Sequence, residues 1–168
     1  AGLLKAIRSL EIGLIHLEMP ELKPLSDEEV FAKIGEVTDE RFFVIAESIR
    51  RGKALEEIHE ITKIDLFFLR KIRNIVVMEN RIKTEPMTAE LMRAAKKMGF
   101  ADVTIAGYLG KKQLEVRQMR KEWGIIPVYK MVDTCAAEFD AATPYYYSSY
   151  GVEDEVTQSD KKKVVVLG

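Results

Sequence analysis

Residues 133–150, DTCAAEFDAATPYYYSSY, hold the chain's single cysteine, the acids Asp133, Glu138 and Asp140, and four of its six tyrosines. Such a cluster suits a nucleophilic site, a metal or acid–base site, or a seam between domains. A nucleophilic cysteine needs a base or a cation to hold its thiolate. Neither His16 nor His59 is near Cys135 in sequence, and the small apolar neighbours of Cys135 suit a buried, inert thiol. The two histidines are far apart and have no ligand-spaced partners, which argues against a metal centre. Glu138 and Asp140 lie two residues apart, so they point to opposite sides of a strand or well around a helix and do not share a substrate. Asp133 followed by Thr134 reads as a cap or turn. The tyrosines either line a ligand pocket or pack one face on a core with their hydroxyls at a domain boundary.

The elements that position this cluster are mostly helical. LLKAIRSLE near the start is amphipathic, and HLEMPELKPL, with two prolines, reads as a linker. Ser26 and Glu29 have capping-box spacing and open a helix. In TDERFFVIAESIRRG, Phe42, Ile45, Ala46 and Ile49 form one apolar stripe, with Thr38 as the expected N-cap and Gly52 as the stop. Leu55, Ile58 and Ile61 stripe the next helix. IDLFFLRKIRNIVVMENRIK is apolar on more than one face, the mark of a helix buried among others. Thr88 caps a helix striped by Leu91, Ala95 and Met98 and stopped at Gly99. Asp102 is the expected cap of another, stopped at Gly110, and the last places Val116, Met119 and Trp123 on one side before Gly124. From there the pattern changes: IIPVYKMVDT and PYYYSSY read as extended, GVEDEVTQSD as a polar loop, and KKKVVVLG as a buried strand. A run of that last kind opens a parallel sheet whose glycine-rich turn is expected beyond Gly168, so the segment reads as a helical domain taken from a larger chain.

Residues 102–124 also have the outline of a helix-turn-helix, with a second helix rich in Arg and Lys. Over residues 89–130 there are nine Lys or Arg against four Asp or Glu. That excess is the one feature that favours DNA phosphates. The competing reading is a helical hairpin with a basic solvated face. The whole chain gives little support to nucleic acid or an anionic membrane, with 26 Lys and Arg against 27 Asp and Glu, a net charge of −1. No apolar run reaches the roughly 18 residues a membrane span requires. One cysteine forms no internal disulfide, which fits a reducing cytoplasm. At 168 residues, 47% hydrophobic and 32% charged, the chain is long enough for one well-filled core.

The chain resembles the large chain of carbamoyl-phosphate synthase. Residues 127–139, PVYKMVDTCAAEF, and 145–150, YYYSSY, are similar to that family's Pro-Val-x-Lys-x-Val-Asp-Thr-x-Ala-Ala-Glu-Phe and Tyr-x-Tyr-Ser-x-Tyr runs. SLEIG, TDERFFVIAESIRRG, ITKIDLFFLRKI, AKKMGFADVTIA and VRQMRKEWGI are similar, in order, to further blocks of the same region, with Pro144 and Gly151 as mild departures. The resemblance implies a mainly α fold: a multi-helix orthogonal bundle with an extended C-terminal segment and a truncated terminal strand. It implies three parts: 1–20, the tail of one synthetase half and a linker; 21–143, a helical oligomerisation domain; and 144–168, a connector and first strand of the second half. It implies an architectural role without catalytic, cofactor or metal residues here, in a cytoplasmic enzyme that makes carbamoyl phosphate for arginine or pyrimidine synthesis with ATP and Mg or Mn. Expected partners are a second copy, the two flanking ATP-grasp halves and a glutaminase small subunit, with no nucleic acid and no membrane. Asp133, Thr134, Cys135, Glu138, Phe139, Tyr145, Tyr147 and Tyr150 become an interdomain seam. The surplus apolar residues Phe42, Phe43, Phe67, Phe68 and Ile72 become the expected self-association face.

Overall fold

Local signals in the sequence account for several of the helix boundaries. The computed structural model describes residues 2–133, 145–156, 160–162, 164 and 166. Among these are α1 (Gly2–Ser9), α2 (Asp27–Ala32), α3 (Arg41–Arg50), α4 (Leu55–Thr62), α5 (Leu66–Thr84), α6 (Ala89–Met98), α7 (Asp102–Leu109) and α8 (Gln113–Glu122), followed by β1 (Val128–Met131) and β2 (Tyr146–Ser149). The fold is mainly α, as expected. Ser26 Oγ accepts from the Glu29 amide at 3.3 Å while the Glu29 carboxylate accepts from the Ser26 amide at 2.7 Å, closing the capping box. Thr88 caps α6 by accepting from the Leu91 amide at 3.2 Å. Gly99 and Gly110 end α6 and α7 at φ of 99° and 63°, a backbone that residues with a Cβ rarely adopt.

Three expected elements differ. Thr38 is not a helix cap. Its carbonyl accepts from the Arg41 amide at 3.3 Å in a turn, and α3 starts only at Arg41. Asp102 is not a cap either, because its carboxylate is taken by Lys96 and Arg120, and Ala101 precedes the helix instead. Lys161, Lys162, Val164 and Val166, from the run expected to be a buried strand, are exposed and outside any strand. A parallel-sheet strand needs neighbours on both sides, and among the described residues the sheet has only β1 and β2.

The chain divides into two compact units, Ala1–Ile125 and Ile126–Gly168. Residues of the N-terminal tail lie in the first unit's core, where Leu4, Ile7 and Leu17 are buried with Ile34, Ile58, Leu69, Ile82, Met92 and Ile105. Each such side chain contributes about 1.5–3 kcal/mol by leaving water. The long α5 buries Leu69, Ile72, Ile75, Val76, Met78 and Ile82, which explains its apolar residues on more than one face.

In the second unit β1 and β2 pair antiparallel, with Val128 opposite Ser149 and Met131 opposite Tyr146. The other edge of β1 is served by the acidic loop. Asp154 accepts from the Tyr129 amide at 3.2 Å, the Glu155 carboxylate from the Met131 amide at 2.7 Å, and the Glu155 amide donates to the Tyr129 carbonyl at 2.9 Å.

Candidate functional site

Phe67 and Phe68 lie in the first turn of α5, after the N-cap Asp65, whose carboxylate caps the helix by accepting from the Phe67 amide at 2.7 Å. That cap fixes both rings at the helix start, where they remain 55% and 60% exposed. They meet edge to face, with centroids 5.4 Å apart. Lys71, one turn on, sets its ammonium 4.7 Å from the Phe67 ring centre. Beside them is a groove of about 320 Å³ lined by Leu3, Phe42, Ile45, Ile64, Phe68 and Ile72, with Thr38, Asp39 and Arg41 also on its wall. A second groove of about 410 Å³, lined by Leu10, Ile12, Leu14, Met19 and Phe43, also has Asp39 on its wall.

This geometry sorts the five residues of the expected self-association face. Phe67 and Phe68 are on the surface, and Phe42 is half-buried on the groove wall. Phe43 and Ile72 are core residues at 3% and 4% exposure, reached only at the bases of the two grooves. The inward stripe of each helix explains this: Phe43 belongs to the buried run Phe43–Ala46, and Ile72 follows Leu69 at the spacing of one turn. Leu3 and Ile64 complete the groove and were not foreseen. The legible signal for Leu3 is that it falls off the Leu4–Ile7 stripe, an apolar residue without a place in the core.

Behind the groove the helices are joined by charges. Glu79, 3% exposed on α5, accepts from Arg50 Nε at 3.1 Å and Nη2 at 3.0 Å, and it also pairs with Lys83. Arg50 reaches further, to Glu47 and to the Leu17 carbonyl at 2.9 Å. Lys83 pairs with Glu18 at 2.8 Å and lies 4.4 Å from the centre of the Tyr108 ring, whose hydroxyl donates to Glu18 at 3.2 Å. The His16 contact, followed by the cations Lys83 and Lys23, holds the Glu18 carboxyl well below the usual carboxylate range against the opposing effect of burial. Burial pushes the Tyr108 hydroxyl up, with Glu79 and Glu18 adding to it. His16 Nδ1 is buried and has no hydrogen-bond partner among the described residues. His59 is engaged elsewhere, its Nδ1 2.8 Å from the Ile64 carbonyl. No group of three His, Cys, Asp or Glu side chains suited to a metal occurs among the described residues. Nor is any helix there long and apolar enough to cross a membrane.

The helix-turn-helix outline at 102–124 is real as shape, since α7 and α8 pack as a hairpin. Its chemistry is partly committed inward. Arg120 Nε donates to both Asp102 oxygens, at 3.0 and 2.9 Å, and Nη1 donates to the Ile125 carbonyl at 3.0 Å. A recognition helix presents such arginines to phosphates or bases, whereas this one is buried.

Of the expected seam, Asp133, Tyr145, Tyr147 and Tyr150 are described. Tyr145 and Tyr147 are exposed on the hairpin, where the Val132 amide donates to the Tyr145 carbonyl at 2.7 Å. Thr134, Cys135, Glu138 and Phe139 lie outside the described residues. The groove and the charge network are both assembled within residues 1–125. Residues 1–124 match the family described as the carbamoyl-phosphate synthetase large chain, oligomerisation domain.

Proposed function

The chain belongs to the carbamoyl-phosphate synthetase large-chain oligomerisation-domain family, and from that premise we propose that it is a non-catalytic connector that associates with itself. The observation that carries this reading is the apolar groove edged by the exposed Phe67–Phe68 pair. In the parent enzyme the connector holds two ATP-grasp halves in fixed relation while bicarbonate, ammonia and ATP with Mg or Mn are turned into carbamoyl phosphate. A glutaminase subunit supplies the ammonia, and the enzyme works in the cytoplasm. A stiff helical body serves such a role because unstable intermediates must pass between distant sites without the halves drifting apart.

Light scattering behind size exclusion, over about a hundredfold concentration range, tests the self-association. The expected result is a dimer or larger species that dissociates only on strong dilution. A monomer throughout removes self-association and leaves the chain a spacer. A second assay tests the absence of catalysis: purified chain shows no bicarbonate-dependent ATP hydrolysis, and turnover that persists through repurification overturns the reading.

A further inference from the structure

The second groove, of about 410 Å³, carries charge of one sign. Its lining includes Glu21, Asp39 and Glu40 and no cation, whereas the first groove has Arg41 beside Asp39. All three acids are exposed and have no ion pair among the described residues. The cations nearest to them in sequence are committed elsewhere. Lys23 pairs with Glu18 at 3.2 Å, and Arg41 Nε donates to the Ile34 carbonyl at 3.1 Å. The partial positive charge at the start of α3 favours Asp39 and Glu40 where they are, but Glu21 comes from a different stretch of chain and lines the same groove.

Between these acids the groove is apolar and open. Leu10 and Ile12 are 58% and 53% exposed, beside the buried Phe43. Pockets for small ligands run from roughly 300 to 1,000 Å³, so a groove near the lower end takes a few side chains of a short segment rather than a folded domain. An uncharged apolar segment would fill it but strip water from the acids without giving them a partner. An acidic segment would be repelled. A segment whose apolar side chains alternate with Lys or Arg meets both demands, since it covers the apolar residues and pairs the acids. The stretch Leu69–Arg73 of a second copy does not offer this pattern, because Leu69 and Ile72 are core residues.

Independently of self-association, we propose that this groove docks a short basic segment of another polypeptide, its apolar side chains against Leu10, Ile12 and Phe43 and its cations on Glu21, Asp39 and Glu40.

The test uses the full chain and a short fluorescent peptide of alternating Lys and Leu, read by polarisation and by the methyl NMR signal of Ile12. Saturable binding in the micromolar range is expected, with the Ile12 methyl shifting along the same curve. Peptides with Glu for every Lys, or Ser for every Leu, are expected to bind at least about tenfold more weakly. A chain carrying Glu21→Gln, Asp39→Asn and Glu40→Gln is expected to lose about tenfold in affinity and much of its salt dependence. Leu10→Ser with Ile12→Ser is expected to lose a similar factor. All five positions are exposed, and far-ultraviolet circular dichroism checks that the fold is kept. The control removes the same charge away from the groove, through Glu28→Gln, Glu56→Gln and Glu90→Gln, and is expected to bind as the wild type does. A control that weakens as much shows attraction to net charge alone and overturns the proposal. So does the absence of saturable binding, or binding that the groove variants leave unchanged. Sedimentation of the same variants separates the two readings. If the groove changes abolish self-association, the occupant is a second copy, which removes the foreign segment and spares the connector.

Discussion

Single residues reveal their importance here through what they would leave behind. Glu79 and Arg50 form a two-point ion pair at 3% and 19% side-chain exposure, so neither has enough water around it to stand alone. Glu79→Ala leaves Arg50 and Lys83 short of a partner and is expected to cost about 3–5 kcal/mol in urea unfolding. Adding Arg50→Met to it is expected to return part of that loss, since the stranded cation is gone as well. Asp102 gives a pH dependence. Burial opposes its ionisation, but hydrogen bonds from Lys96 and Arg120 outweigh burial and hold the carboxyl below its ordinary range. A carboxylate depressed in the folded state adds stability that is complete above its unfolded pKa of about 4 and is lost as pH falls further. Urea midpoints are therefore expected to be flat near neutrality and to decline below about pH 4, and Asp102→Asn is expected to lower the neutral plateau and flatten that decline. A decline unaltered in Asp102→Asn would place the acid sensitivity in another carboxylate.

Helices were more legible than their charges. Capping signals at Ser26 and Thr88 and stops at Gly99 and Gly110 are short-range chemistry, and the chain folds where they say. Gly99→Ala is expected to destabilise by about 1–2 kcal/mol, because α6 ends there at φ 99°. Lys63 ends α4 in the same left-handed region with a Cβ, at φ 57°, so Lys63→Gly is expected to raise stability by up to about 1 kcal/mol in thermal melts. Asp102 was misread as a cap because the feature that claims it, Arg120, is 18 residues away. Exposure along the aromatic face is decided by the same kind of distant contact. Periodicity marks Phe43 and Phe68 alike as apolar, and only the packing of α3 against α5 decides which one the core takes. The groove was likewise beyond reach, as Leu3 joins it from a distant part of the chain. A resemblance spanning successive blocks located the family, while the individual contacts needed the fold.

The molecule as a whole keeps its core on one side of Ile126. Every buried hydrophobic side chain among the described residues lies between Leu4 and Ile125. A chain ended after Pro127 is therefore expected to hold its helical circular dichroism signal and to melt within a few degrees of the full chain, a scale on which about 1 kcal/mol counts. Loss of cooperative melting in that shorter chain would show that the second unit is required for the first to fold.

The turn between α6 and α7 gathers more than its own bonds. Arg8, on the first helix, donates to the Gly99 carbonyl at 3.0 Å. Lys96 holds the Phe100 carbonyl and Asp102, and Arg120 ties Asp102 to the carbonyl of Ile125, the last residue of the helical unit. The strand of chain that comes in and the strand that goes out are thus pinned to the same few residues. A pull applied to α1 and to Ile125 would therefore be felt first at this turn. The turn is a rivet: it fastens the first helix and the last residue of the helical unit to the same few side chains.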